Sequence, residues 1–486
     1  MMALPELLQG WASDVATIPV SHLTLNSLDV QPGSVFCAVP GLHHHGLTFA
    51  PDAVDKGAAA VLYDPQGAPA VADSAVPHIA VQGLAEKLPE LGARLHGHPA
   101  EQLTLVGVTG TDGKSSVVHY CAQLLRASAI PCATLGTLGL DLGEGAEDAS
   151  LTTPDPLRLQ ALLGRARDAG MQAVAMEVSS HALAQGRVAG LPFAHVALTT
   201  LGRDHLDFHG SVAAYHAAKK RLLNWPGVQT VHLNGDDAMV RRAAKQVEQA
   251  ARVRFYGAAT EARWRLLSVT ADSSGLGLEL AVGELKQRIQ LKLLGGFNAG
   301  NAMAAAALAE AAGAPVEDIL QALPRLRPVC GRMEVIGAAG QPTAVVDYAH
   351  TPDALRSVLS ALRLHRPREL VCVFGCGGER DRGKRPLMAA AVEELADRWW
   401  VTDDNPRRED PEQIFADMRQ GLKNPRAGSW EHDRAQAIQH ALEQAHEADI
   451  VLVAGKGHED YQDLNGQRQP FSDQAVIRAA LGGGEA

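Results

Sequence analysis

Apolar positions in this chain gather into short unbroken runs that end in polar residues or glycine. Most are followed by a longer stretch with apolar residues at helical spacing. The pattern is strongest after "LHGHPAEQ" (Leu95 to Gln102), where "LTLVGVTG" predicts a strand buried on both faces and "KSSVVHYCAQLLRAS" the helix behind it. "QAVAMEVSS" and "HVALTTLG" predict two more buried strands, so this stretch reads as a parallel sheet covered by helices. "FNAGNAMAAAALAEAAG" predicts a small-residue helix stopped by glycine. After "RLRPVCGRME" a second strand series begins, with "AVVDYA", "LVCVFGCGG", "WWVTDDNP" and "DIVLVAGKG", each closed by glycine or acidic residues as in doubly wound sheets. The first ninety-odd residues mix short β-like runs ("SVFCAVPG", "AAAVLYD") with turns. The expected architecture is α/β in three domains: a small N-terminal α/β domain (1–95), a central P-loop-type parallel-sheet domain (96–332), and a C-terminal Rossmann-like doubly wound domain (333–486).

Composition narrows the function classes. With 46% apolar and 20% charged residues the 486-residue chain is globular, and its formal charge of −11 argues against nucleic acid as a partner. A few arginines in one cleft could still hold an anionic substrate. The start, "MMALPELLQGWASD", lacks the basic and apolar regions of a secretory signal, and no run of about 18 apolar residues would cross a bilayer. The six scattered cysteines, without a CxxC pair, read as reduced thiols. Together these lead us to expect a cytoplasmic protein with no membrane insertion, monomeric by default.

The stretch "LVGVTGTDGKSSVV" carries the first chemistry. A glycine-rich turn between strand and helix exposes backbone N–H groups, and the helix start adds partial positive charge. Lys114 would reach the terminal phosphates of a nucleotide and Ser115 would offer its hydroxyl to magnesium. The strict P-loop places glycine at the position occupied here by Val108, so the loop alone says ATP or GTP without saying which reaction. Glu177 and His205 are expected at strand ends, with His209 structural, and hard oxygen ligands with an occasional imidazole suit Mg²⁺.

The loop Gly110-Thr111-Asp112-Gly113-Lys114-Ser115 resembles the nucleotide loop of the Mur ligases, ATP-dependent enzymes that build the peptidoglycan stem peptide. The motifs "TTPDP", "MEVSSHALAQGR", "RDHLDFHG", "YHAAKKRLL", "GGFNAGNAMAA", "GRMEV", "DYAHTPDAL", "FGCGGERDRGKRPLM", "TDDNPR" and "AGKGHEDYQ" follow in the family's order over nearly the whole chain. Within the family the resemblance is to the ligases that add the third stem residue to UDP-N-acetylmuramoyl-L-alanyl-D-glutamate. It implies acyl-phosphate chemistry on ATP and Mg²⁺: Lys114, Glu177, His205 and Lys219 catalytic, and Ser115, Glu177, His205 and a carbamylated Lys219 around the metal. It adds Ser116, Asn298, Asn301, Arg332 and Asp347 to the ATP-binding set, with His350 beside them.

The same resemblance places the uridine diphosphate end on Leu25, Ser27, Leu42, His43 and His44, and the muramoyl peptide on Leu151, Thr152, Thr153, Ser179, Gln185 and Arg187. Here the chain departs from its relatives: Leu28 stands where an arginine is usual, and His43-His44-His45 is uncommon. "DNPR" (Asp404, Asn405, Pro406, Arg407) resembles the signature of enzymes that add meso-2,6-diaminopimelate rather than L-lysine, with Arg380, Gly455 and Glu459 completing the acceptor site. Diaminopimelate carries a distal carboxylate that lysine lacks, and Arg407 could pair with it, with Glu459 and Asp404 meeting the distal ammonium or its supports. A structural use of "DDNPR", as a helix N-cap with a Pro turn, is compatible with this one. The same ligation with L-lysine, and another Mur or folylpolyglutamate-type ligase, are the competing readings.

Overall fold

The computed structural model describes residues 1–41, 43–71, 73–147, 151–248, 252–338 and 340–482. The chain divides into two compact units, Met1–Arg254 with Leu308–Val316, and Phe255–Ala307 with Glu317–Ala486.

Among the described residues the first unit holds a short antiparallel pair, Met2–Ala3 with Pro19–Val20, a four-stranded sheet and strands of a larger sheet. Strands His22–Thr24, Ser34–Ala38, Ala60–Tyr63 and His78–Ala80 lie in that order, all parallel. In the larger sheet Thr104–Thr109 is central, flanked by Ala173–Glu177 and Phe193–Leu198 in parallel, with Cys132–Gly136 beyond the first. Thr230–Asn234 continues it in parallel beyond Phe193–Leu198. Strand order reverses about Thr104–Thr109, so the loops leaving the carboxyl ends of several strands open at one edge, where such sheets bind ligands. The helix Lys114–Ala127 follows the central strand, and buries Val117, Val118, Cys121, Leu124 and Leu125. Asp155, in the "TTPDP" motif, caps the helix Pro156–Asp168 by accepting from the N–H groups of Leu157 and Arg158.

The second unit begins with an antiparallel meander, Ala262–Asp272, Gly275–Val282 and Leu285–Leu291. Its main sheet has five parallel strands in the order Thr343–Asp347, Ile450–Ala454, Leu370–Phe374, Arg398–Val401 and Ser429–Trp430, with Glu334–Ile336 antiparallel at the opposite edge. Helices Pro352–Arg363, Lys384–Leu395 and Pro411–Arg419 bury Leu355, Leu359, Met388, Ile414 and Phe415 in one core. Helices Arg434–Glu443 and Asp473–Ala480 bury Ile438, Leu442 and Ile477 in another. Thus the doubly wound second strand series is present. The meander is an element the pattern analysis did not assign, because its strand "LKQRIQL" leaves five of seven positions exposed.

Two local expectations change. His205 is not at a strand end: the strand stops at Leu198, and His205 precedes the short helix Leu206–His209 with a left-handed backbone, φ +51°. "DDNPR" caps no helix. The next helix begins at Pro411, and Asp410 caps it by accepting from Glu412 N.

Candidate active site

The loop after the central strand is folded tightly onto its neighbours. Gly110 has φ +154°, and a Cβ there would fall 1.8 Å from Thr199 Oγ1, so only glycine fits. Thr111 N donates to Thr200 O (3.0 Å), Asp112 N to Thr200 Oγ1 (2.9 Å), and Gly202 N to Thr111 Oγ1 (2.8 Å). Gly113, with φ +84°, starts the helix at Lys114. The Lys114 ammonium donates back to Gly110 O and Thr111 O, 3.0 Å each, and so lies across the loop it would share with a phosphate. Ser116 hydrogen-bonds the buried Tyr120.

Beside this loop stands Glu177, 2% exposed at the end of its strand. Its Oε1 accepts from Ser115 Oγ (2.9 Å) and Thr137 N (2.9 Å). Thr153 Oγ1 donates to the Glu177 carbonyl (2.9 Å) and accepts from Ser179 N (3.1 Å); Arg187 Nη1 donates to Thr153 O (2.9 Å). Lys219, also 2% exposed, donates to Gly110 O at 2.6 Å and lies 4.5 Å from the Tyr215 ring. Burial, helped by the neighbouring Lys114 charge, pushes the Lys219 amine down to about 6. At neutral pH it is therefore largely an uncharged amine.

A cavity of about 290 Å³ joins these parts, lined by Lys114, Leu151, Thr152, Thr153, Ser179, Arg187, His205 and Lys219 with Ser180, His181, Asp204 and Tyr215. Gln185 is exposed at the end of the short helix Ser180–Ala184, outside this lining. His209 Nε2 is 3.0 Å from Ser180 Oγ. Thr137, Thr199, Thr200 and Tyr215 join the site beyond the residues that the motifs single out. The polar ends of "HVALTTLG" and the "YHAAK" spacing were the signals available. Among the described residues no three His, Cys, Asp or Glu side chains stand together as a preformed metal site. The Ser115–Glu177 oxygen pair fits Mg²⁺ in another way, since that ion keeps waters and draws on substrate phosphates.

On the N-terminal sheet Ser27 is buried in a turn capped by Asn26 and Leu28 is 75% exposed. Leu42 lies outside the described residues. His43 and His44 are exposed. His45 is buried and structural: its Nδ1 accepts from Leu47 N and its Nε2 donates to Asp64 O, 3.0 Å each.

In the second unit Asn298 Nδ2 donates to Leu294 O (2.8 Å) and Asn301 Nδ2 to Asn298 Oδ1 (3.1 Å). Asp347, at a strand end, accepts from Met333 N and Ala349 N, and the Arg332 guanidinium lies 4.7 Å from the Tyr348 ring. His350 Nδ1 is 2.8 Å from Tyr348 O. Asp404, Asn405 and Pro406 are buried, and Arg407 has φ +55°. Arg407 Nη1 donates to Gly378 O (2.7 Å); among the described residues its Nε and Nη2 have no hydrogen-bond partner. Asn405 Nδ2 donates to Glu459 Oε2 (2.9 Å). Gly455, φ +119°, lets Asp404 approach: a Cβ would fall 2.5 Å from Asp404 Oδ2. Arg380 is exposed.

The Mur ligase family, catalytic domain matches residues 19–102, the Mur ligase middle domain residues 108–309, and the Mur ligase, glutamate ligase domain residues 331–457. A relative from Alkalilimnicola ehrlichii is 47% identical over 99% of each chain, and one from Ectopseudomonas mendocina 45% identical over 100% of this chain and 99% of its own. The chain belongs to the Mur ligase family. Both relatives are named UDP-N-acetylmuramoyl-L-alanyl-D-glutamate--2,6-diaminopimelate ligase, the MurE branch. A solved structure with that name superposes with a TM-score of 0.70 at 34% identity over 99% of both chains. A D-alanyl-D-alanyl-adding ligase from Acinetobacter baumannii shares the fold, TM-score 0.67 at 17% identity over 93% of this chain and 94% of its own. The three-domain architecture and an ATP-dependent acid–amino-acid ligase activity follow from this membership. Among the described residues no helix is long and apolar enough to cross a membrane.

Proposed function

We propose that this chain joins meso-2,6-diaminopimelate to the D-glutamate carboxyl of UDP-N-acetylmuramoyl-L-alanyl-D-glutamate, at the cost of ATP, as a cytoplasmic monomer in peptidoglycan synthesis. The observation that carries the reading is the meeting, at one edge of a parallel sheet, of the phosphate loop, the Ser115–Glu177 pair and the buried Lys219. The glutamate carboxylate oxygen attacks the γ-phosphorus of ATP and ADP leaves. The acceptor amine then attacks the acyl carbon, a proton leaves the nitrogen, and inorganic phosphate departs.

In this scheme the backbone N–H groups of Gly110 to Ser116 and the Lys114 ammonium hold and orient the phosphates, so most of the rate comes from positioning and fixed charge. Lys114 must leave its two carbonyl partners to do so. Arg187, Thr152, Thr153, Ser179 and Gln185 hold the muramoyl peptide, and Leu25, Ser27 and the Leu42–His44 loop the uridine end. Leu28 brings no charge there. Asn298, Asn301, Arg332 and Asp347 belong to the ATP-binding set that the resemblance implies. The uncharged Lys219 amine is a fit nucleophile for CO₂, and its carbamate would join Ser115, Glu177 and His205 in holding Mg²⁺. That ion, when bound, supplies positive charge to the phosphoryl oxygens.

The acceptor is recognised by Arg380, Asp404, Asn405, Pro406, Arg407, Gly455 and Glu459. Arg407 keeps its Nε–Nη2 edge available for a carboxylate, which favours diaminopimelate over lysine. The test is phosphate release with ATP, Mg²⁺ and UDP-N-acetylmuramoyl-L-alanyl-D-glutamate, comparing meso-diaminopimelate with L-lysine. Release and tripeptide formation that depend on diaminopimelate are expected. Preference for lysine would overturn the role of Arg407, and release indifferent to both, without peptide, would overturn the ligase.

A further inference from the structure

Lys456 is the residue after Gly455 and three before Glu459, and its side chain is 0% exposed. None of the roles assigned above uses it. A buried ammonium is costly unless its donors are satisfied. Here two of its three donors have acceptors, Asn405 Oδ1 at 3.1 Å and Glu459 Oε2 at 3.2 Å, and the Tyr461 ring centroid lies 5.4 Å away.

These bonds determine the orientation of a whole cluster. Asn405 Oδ1 accepts from both Lys456 Nζ and Asp463 N (2.9 Å), so the amide cannot be turned over without placing its NH₂ against two donors. Its Nδ2 is thereby directed to Glu459 Oε2, which accepts from Asn405 and Lys456 together. Among the described residues Glu459 Oε1 receives no hydrogen bond, and the carboxylate is 20% exposed.

We propose that Lys456 is a positioning residue for the acceptor amino acid: by holding Asn405 and Glu459 it leaves Glu459 Oε1 to receive the substrate's ammonium. The proposal rests on the acceptor-site reading above. Lys456 touches no reacting atom, so its removal acts on acceptor binding rather than on phosphoryl transfer.

The test is a double-mutant cycle in the full-length enzyme, Lys456→Met with Glu459→Gln, measuring KM for meso-diaminopimelate, ATP and the UDP-dipeptide, together with the thermal midpoint. Lys456→Met is expected to raise KM for diaminopimelate roughly 10- to 100-fold, the range for losing a charge-assisted hydrogen bond, with the other two KM values changed less than about twofold. In the Glu459→Gln background it should add less than about threefold. Should Lys456→Met fail to fold, Lys456→Gln, which keeps an N–H donor without the charge, takes its place with the same expectations. An undiminished effect of Lys456→Met in the Glu459→Gln background, or an equal rise in all three KM values, would show a merely structural lysine. No effect of Lys456→Met where Glu459→Gln alone raises KM would also overturn the proposal while leaving the acceptor site standing. A Glu459→Gln enzyme with unchanged KM for diaminopimelate would remove the acceptor-site reading itself, and this proposal with it.

Discussion

Gly136→Ala tests the central claim about Glu177 without altering any chemical group in the site. Gly136 closes the Cys132–Gly136 strand, and an ideal Cβ there falls 2.3 Å from Glu177 Oε1, 2.7 Å from its Cγ and 2.8 Å from its Cδ. Gly136 does not adopt a left-handed backbone, so the added methyl is the only perturbation. Relieving such contacts to ordinary van der Waals separation moves the carboxylate by about 1 Å. Glu177 is buried and tied to Ser115 Oγ and Thr137 N, so the shift must break or stretch those bonds. A misplacement of that size costs about 10²-fold in rate, while overpacking of one methyl costs about 1–3 kcal/mol of stability. The assay is steady-state tripeptide formation with a thermal melt alongside. Gly164→Ala is the control: it lies inside the helix Pro156–Asp168, its Cβ would meet His96 at an ordinary 3.5 Å, and the substitution should leave kcat unchanged. A Gly136→Ala enzyme with kcat within about threefold of the parent would show that the position of Glu177 does not matter to the reaction.

Three further outcomes are expected. Lys219 should incorporate ¹³C from labelled bicarbonate as a carbamate signal lost on acidification, because its amine is pushed down to about 6; Lys219→Arg should show neither the signal nor ligation. His232 is fully buried and its imidazole is lowered to about 3, so the folded protein binds fewer protons than the unfolded chain below about pH 6.5. Stability is therefore present above that pH and lost as pH falls, by about 2 kcal/mol at pH 5 relative to pH 7.5, and His232→Gln should flatten this part of a denaturation series. Arg434 and Asp473 form a fully buried ion pair at 2.8 Å, so Arg434→Met should cost about 3–5 kcal/mol in chemical denaturation, and Arg434→Met with Asp473→Leu distinctly less.

What the sequence revealed divides along a physical line. The strands Thr104–Thr109, Ala173–Glu177, Leu370–Phe374 and Ile450–Ala454 were legible because both their faces are buried, which writes an unbroken apolar run into the chain. The meander from Ala262 to Leu291 was not, because its strands are partly exposed and carry charge. Likewise Glu177 could be placed at a strand end from its own neighbours, whereas the left-handed backbone at His205 depends on a loop with no periodicity. Lys219 sits furthest from what local pattern can tell. Beside Lys220 at the end of a helix it looks like half of a solvated basic pair. Its amine is pushed down because burial against the phosphate loop strips it of water and the Lys114 charge lies close, and both come from a segment about a hundred residues earlier. The chemistry of that lysine is a property of the closed sheet edge, and it is present in the chain only once the phosphate loop and the helix after "RDHLDFHG" have been brought against each other.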